Sequence, residues 1–161
     1  MDRLWSPWRY KYISQAESAE GCIFCDKPAA GNDQEHLVVY RGSHCFVMLN
    51  LYPYTAGHMM VAPYAHVGSL EEADDAATAE LMALTKRAQR ILRDVYKAQG
   101  YNIGMNIGAA AGAGVVGHIH MHVLPRWTGD ANFMTTVGET RVIPEALATT
   151  YEKLQRAFAA T

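Results

Sequence analysis

Residues 117–126 alternate three histidines, His118, His120 and His122, with the apolar Ile119, Met121 and Val123. A period of two is that of a β-strand, so the imidazoles are expected on one face and the apolar side chains on the other. This stretch constrains the fold more than any other. Its apolar face must be packed, and its opposite face must hold three imidazoles close together. Neither packing nor solvation asks for three histidines in register. Such a row suits metal ligands, a nucleophile with helpers, or both.

The rest of the chain reads as a frame for that strand. Short β-prone runs at residues 37–40, 44–50 and 58–63 are joined by tight links, and Pro63 ends the last of them. They are expected to pair antiparallel as a meander. Residues 70–98 give the clearest helix. Glu71, Glu72, Asp74 and Asp75 crowd its start, and Leu81, Leu84, Ala88, Ile91, Leu92 and Val95 form one stripe. Gly100 is placed to stop it. Lys86, Arg87, Arg90, Arg93 and Lys97 read as its solvated face. Residues 101–107 predict a fourth strand, and 108–114 a loop of small residues. Pro144 is expected to open a last helix with Leu147, Tyr151, Leu154 and Phe158 as its stripe. An antiparallel sheet with one long crossover helix and a C-terminal helix makes the class α+β. One domain is expected over residues 1–161. An aromatic and basic arm at 1–20, containing Trp5 and Trp8, precedes its body, and 127–161 form a C-terminal extension.

A chain of 161 residues is long enough to bury a core. Its net charge of -2 gives no support to a broad nucleic-acid surface, whereas a small phosphorylated ligand needs only a local cluster of donors. There is no apolar run of about 18 residues and no signal-peptide core, so a cytoplasmic protein is expected. In a reducing compartment Cys22-x-x-Cys25 reads as a metal or redox pair rather than a disulfide. Cys45 alternates within an apolar run and reads as packing.

Two kinds of chemistry fit these residues. Structural zinc takes four nitrogen or sulfur ligands. Cys22 and Cys25 supply two, and His66 and His118 are candidates for the others. A neutral imidazole can also attack phosphorus, provided its second nitrogen is held by an acceptor and donors await the phosphate oxygens. His120, between His118 and His122, has the neighbours a nucleophile needs. The glycine-rich loop before it can bring backbone N–H groups near phosphate. His58, which follows Gly57 at a strand start, is a candidate for the same site, while His36 and His44 read as surface residues.

The run His118-Ile119-His120-Met121-His122-Val123-Leu124 resembles the signature of the histidine triad superfamily. Leu49-Asn50, with the run from Gly57-His58 through Pro63 to His66, is similar to the family's second block. The flanks at residues 4–9 and 125–134 resemble a bacterial branch associated with diadenosine tetraphosphate phosphorolysis. The resemblance implies that His120 is the nucleophile. It implies structural zinc on Cys22, Cys25, His66 and His118, and contact of His122 with phosphate or the leaving group. His58 would be a further active-site histidine, Asn50 would hold the ribose side, and Asn106 would contact phosphate. A homodimer that buries a sheet edge is implied too. Many hydrolytic members carry Gly-Gln-Ser/Thr-Val before the triad, where this chain has Gly112-Ala113-Gly114-Val115-Val116-Gly117. Backbone N–H groups of Gly114 and Val115 are therefore expected to serve phosphate. The emptier pocket favours inorganic phosphate as second nucleophile, giving ATP and ADP. Trp127 is a candidate to cover the site or stack on a base, with plain packing as the other reading. Two alternatives remain: a dinucleoside polyphosphate hydrolase or nucleoside phosphoramidase with the same nucleophile, and a zinc-stabilised nucleotide-binding module without turnover.

Overall fold

The structure is a computed structural model and describes residues 21–138 and 143–161. The arm expected at 1–20, with Trp5 and Trp8, lies outside the described residues.

β2 (Cys45–Leu49) and β3 (Met59–Pro63) are apolar throughout and buried at every position. Strands of that kind belong inside a sheet covered on both faces. They pair antiparallel in full register, from Cys45 opposite Pro63 to Leu49 opposite Met59. β1 (Val38–Arg41) flanks β2 at one edge. β4 (Gly100–Gly104) forms the other edge, and β5 (Met121–Arg126) is inserted between it and β3, so the order is β1-β2-β3-β5-β4. Every pairing is antiparallel.

The period of two divides the sheet into two working faces. Val47, Leu49, Met59, Val61, Met121 and Val123 point to the helical side. There they meet Leu81, Leu84, Ala88, Ile91 and Leu92 of α2 (Asp75–Tyr96), together with Tyr151, Leu154 and Phe158 of the C-terminal helix (Leu147–Ala159). Phe46, Met48, Met60 and Ala62 point the other way and pack on Phe24 of the short α1 (Ile23–Ala29). The α+β architecture expected from the sequence is the one observed.

Several boundaries differ from the sequence reading, each for a physical reason. The long helix begins at Asp75, because residues Leu70–Glu72 form a separate 3-10 turn and Asp74 caps the Ala76 N–H at 2.8 Å. Glu71 and Glu72 therefore precede the helix. It stops at Lys97, which adopts the left-handed conformation at φ 52°, and not at Gly100. Gly100 already belongs to β4, opposite Arg126. β4 ends at Gly104 instead of residue 107, since its partner pairs no further than His122. Arg87 leaves the solvated row: it donates to the Phe158 carbonyl at 2.6 Å and lies 4.2 Å over the Tyr40 ring. The C-terminal helix opens at Leu147, after Pro144. A four-residue helix, α3 (Phe133–Thr136), lies earlier in the C-terminal extension, which makes the C-terminal helix α4. No helix among the described residues is long and apolar enough to cross a membrane.

Candidate active site and metal cluster

Cys22 is the N-cap of α1, and its carbonyl accepts the N–H groups of Cys25 and Asp26 at 2.9 Å each. The cysteine pair thus opens a helix, which sets both thiols on one side at a spacing of three. Across from them, the His118 Nδ1 lies 3.4 Å from the Cys22 Sγ and 3.6 Å from the Cys25 Sγ. The His66 Nδ1 lies 3.3 Å from the Cys25 Sγ. All four donor atoms fall within 4.8 Å of one another. A tetrahedron with metal–sulfur bonds of about 2.3 Å and metal–nitrogen bonds of about 2.1 Å has edges of about 3.6 Å. The set has the size and chemistry of a tetrahedral site. The His118 Nε2–H donates to the Pro63 carbonyl at 2.8 Å, which fixes the tautomer and turns the Nδ1 lone pair to the sulfurs. The Ile119 N–H donates to the Val67 carbonyl at 2.9 Å, holding the segment that carries His66. Gly117 makes room for that ring, because a Cβ there would stand 3.3 Å from the His66 Nε2.

The ladder of β5 starts at Met121, so His118 and His120 stand just before it. Their side chains nevertheless keep to the face opposite Met121 and Val123, and both are buried. The His118 carbonyl is free of the ladder and accepts the His120 Nδ1–H at 2.9 Å. That bond leaves the His120 Nε2 with a lone pair. His122 is set in the opposite sense. The Tyr54 N–H donates to the His58 Nδ1 at 3.2 Å, so the proton of neutral His58 is on its Nε2. This Nε2 donates to the His122 Nδ1 at 2.9 Å, which leaves the His122 proton on its own Nε2. A bare lone pair and an N–H thus sit side by side, their ring centroids 4.9 Å apart.

The electrostatics keep these rings neutral. Burial, followed by the neighbouring His122 and His120, pushes His58 down to about 3. Burial, followed by His120, brings His122 to about 4. At His120, burial outweighs the opposing bond to the His118 carbonyl, and its pKa is lowered as well. A neutral imidazole is the nucleophilic form.

The structure brings His118, His120, His122, His58, Cys22, Cys25 and His66 together, and places the other expected residues variously. The Asn50 Oδ1 accepts the Tyr52 N–H at 2.9 Å, and the Asn50 N–H donates to the His58 carbonyl at 3.1 Å, closing the loop that carries His58. The Asn106 Nδ2 reaches the Gly112 carbonyl at 3.5 Å and braces the small-residue loop. The backbone N–H groups of Gly114 and Val115 have no partner among the described residues, and the Val115 side chain packs against the apolar cluster that contains Phe24. Trp127 stands elsewhere. Its indole N–H donates to the Tyr96 carbonyl at 3.1 Å, on the helical side of the sheet and across from the triad. That bond ties the ring to the C-terminal end of α2. His44 is exposed and His36 half-buried. Cys45 is a packing residue, its thiol bonded to the Ala77 carbonyl and pushed up to about 12 by burial.

Two residues were missed by sequence reasoning. Phe24, only 1% exposed, stacks on His120 at 4.5 Å between centroids and 28° between planes. An aromatic between paired cysteines was its only signal. Tyr54 acts through its backbone, which no side-chain pattern announces.

Comparison with known proteins follows the same lines. The HIT domain model matches residues 32–129. The AP-4-A phosphorylase of Mycobacterium tuberculosis is 42% identical over 166 residues, spanning 99% of this chain and 85% of that protein. A Zn-bound histidine triad family protein from Mycobacterium smegmatis superposes with a TM-score of 0.69 at 29% identity, covering 90% of this chain and 96% of the other. A hypothetical histidine triad nucleotide-binding protein from Sulfolobus tokodaii gives a TM-score of 0.70 at 28% identity, over 86% and 93% of the two chains.

Proposed function

The chain belongs to the histidine triad family, and from that premise we propose that it is a nucleotidyl transferase that splits diadenosine tetraphosphate with inorganic phosphate. The carrying observation is the pair of opposed tautomers, His120 with a free Nε2 lone pair and His122 with a proton on Nε2. The His120 Nε2 attacks the α-phosphorus of one adenosine end. The bond from that phosphorus to its bridging oxygen breaks with its electron pair going to the oxygen, and ATP leaves while the His122 Nε2–H hydrogen-bonds that oxygen and keeps its proton. The His120 Nδ1–H stays on the His118 carbonyl and shares the positive charge that builds on the ring. Phosphate then attacks the adenylyl-histidine, giving ADP and returning the nitrogen lone pair. Backbone N–H groups at Gly114 and Val115 are the donors assigned to the phosphate oxygens, with Asn106 beside them and Asn50 toward the ribose. The likeness to AP-4-A phosphorylase supports this substrate and co-substrate.

Zinc is the metal we assign to Cys22, Cys25, His66 and His118. Its role is structural, since four protein donors close the coordination shell. A reducing, cytoplasmic setting keeps the two thiols available for it. We also assign a homodimer to the β4 edge, where Ile103 is 41% exposed on an outermost strand.

Incubating the purified protein with diadenosine tetraphosphate, with and without phosphate, tests the reaction. ATP and ADP formed only with phosphate are the expected products. AMP appearing at an equal rate without phosphate establishes the hydrolase instead. His120→Ala should lose turnover by about a thousandfold or more, as expected of a covalent nucleophile.

A further inference from the structure

We propose that Phe24 is a positioning residue for the nucleophile, and that through it the cluster of Cys22, Cys25, His66 and His118 sets the orientation of the His120 ring. This deepens the nucleotidyl-transfer reading and rests on it for the chemistry. The Phe24 ring lies flat against His120, at an offset-stacking distance. It also touches His118, with centroids 5.3 Å apart. Turning the His120 ring about its Cβ–Cγ bond breaks the Nδ1–H bond to the His118 carbonyl and drives a ring edge into Phe24. The stack and the hydrogen bond therefore lock the same rotation, and the direction of the Nε2 lone pair follows from both.

What holds Phe24 in turn is the cluster. Its chain neighbours on either side are Ile23 and Cys25, with Cys22 one step before, inside a helix of seven residues. A helix that short has no stability of its own. Its anchors are the buried Phe24 and Pro28 and the two thiols. His118 adds a second route, because its Nδ1 lies in the cluster while its carbonyl holds the nucleophile. When the four donors converge on a metal, the Phe24 backbone and the His118 main chain are both fixed. When they separate, α1 is free to shift and the wall behind His120 shifts with it.

A residue that merely fills the core would cost stability on truncation and leave the His120 proton where it is. The deciding experiment compares Phe24→Leu, Phe24→Tyr and wild type by nitrogen-15 NMR of labelled histidines, alongside steady-state kinetics. In zinc-loaded wild type a protected His120 Nδ1–H signal is expected. In Phe24→Leu it should broaden away, while kcat falls about tenfold to a hundredfold and KM stays within about twofold. Phe24→Tyr, which keeps the ring, should retain both. Stripping zinc from wild type with a chelator should remove the same signal, and zinc ion alone should restore it. The proposal is overturned if Phe24→Leu keeps the signal and kcat, if stripped protein shows the signal unchanged, or if the protein takes up no zinc. Should Phe24→Leu fail to fold, stripping and reloading wild type decides the matter. If wild type turns over no dinucleoside polyphosphate, the reaction assignment fails while the NMR comparison still decides the role of Phe24.

Discussion

At the scale of single residues, the site is an arrangement of proton positions. Three imidazoles on alternate residues have three different occupations because each nitrogen meets a different partner. His118 gives its proton to Pro63, His120 gives its proton to His118, and His122 receives one from His58. Keeping such rings neutral carries a cost in acid. His58 and His122 titrate at about 3 and about 4, both below the ordinary 6.5. As the pH falls through 6.5 the unfolded chain takes up their protons while the folded chain does not. Their contribution is therefore fully present above 6.5 and is lost as the pH drops toward 3, at about 1.4 kcal/mol per group per pH unit. Denaturant unfolding at about pH 7.5 and about pH 5 should show this loss, and His58→Gln should remove a part of it close to 2 kcal/mol. An equal pH dependence in that variant would contradict the assignment. The alternation of histidines was legible in the sequence because it lies within six residues. Their division of labour was not, because Pro63, Tyr54 and the His118 carbonyl act through backbone atoms that every residue possesses.

At the scale of elements, the sheet and the long helix were legible wherever a face is buried, since burial imposes periodicity. Ends were less so. Gly100 looked like the stop of α2, yet the strand pairing of β4 claims it, and Lys97 takes the left-handed position instead. A lysine there bears a steric cost that glycine does not. Lys97→Gly should therefore stabilise the protein by about 0.5 kcal/mol, net of the greater freedom glycine gains on unfolding. A shift of the urea midpoint in the opposite direction would show that the bond from the Lys97 Nζ to the Asp94 carbonyl matters more. Arg87 shows the complementary case. It stands in a basic row that reads as solvated, and it turns aside because the Phe158 carbonyl at the end of α4 is within reach. Only the packing of two helices distant in sequence could reveal that.

At the scale of the whole molecule, the two faces of the sheet divide stability from chemistry. The helical face holds the large apolar cluster, and the other holds the triad, α1 and the cluster of cysteines and histidines. The Cys-x-x-Cys pair was legible as a metal candidate. Its distances to His66 and His118 required the fold, because these residues lie 41 to 96 positions away along the chain. Binding only to the folded state links metal to stability. Treatment with a zinc chelator should lower the Tm by about 5–10 °C, the shift for a loss of about 2–3 kcal/mol in a chain of this size. Cys22→Ser should start at the lower value and not respond to the chelator. A Tm unchanged in both would place the stability of the fold entirely in its apolar clusters.

The strand order has one more consequence. β5 is the last strand among the described residues, yet it sits between β3 and β4, which come earlier in the chain. While the protein is being synthesised, β4 therefore has no neighbour in the sheet until residues 121–126 emerge. The thiols near the start of the chain wait equally long for His118. Nascent chains stopped before that point hold an open sheet and two unshielded cysteines, so the interval before β5 inserts is when misfolding and thiol oxidation threaten most.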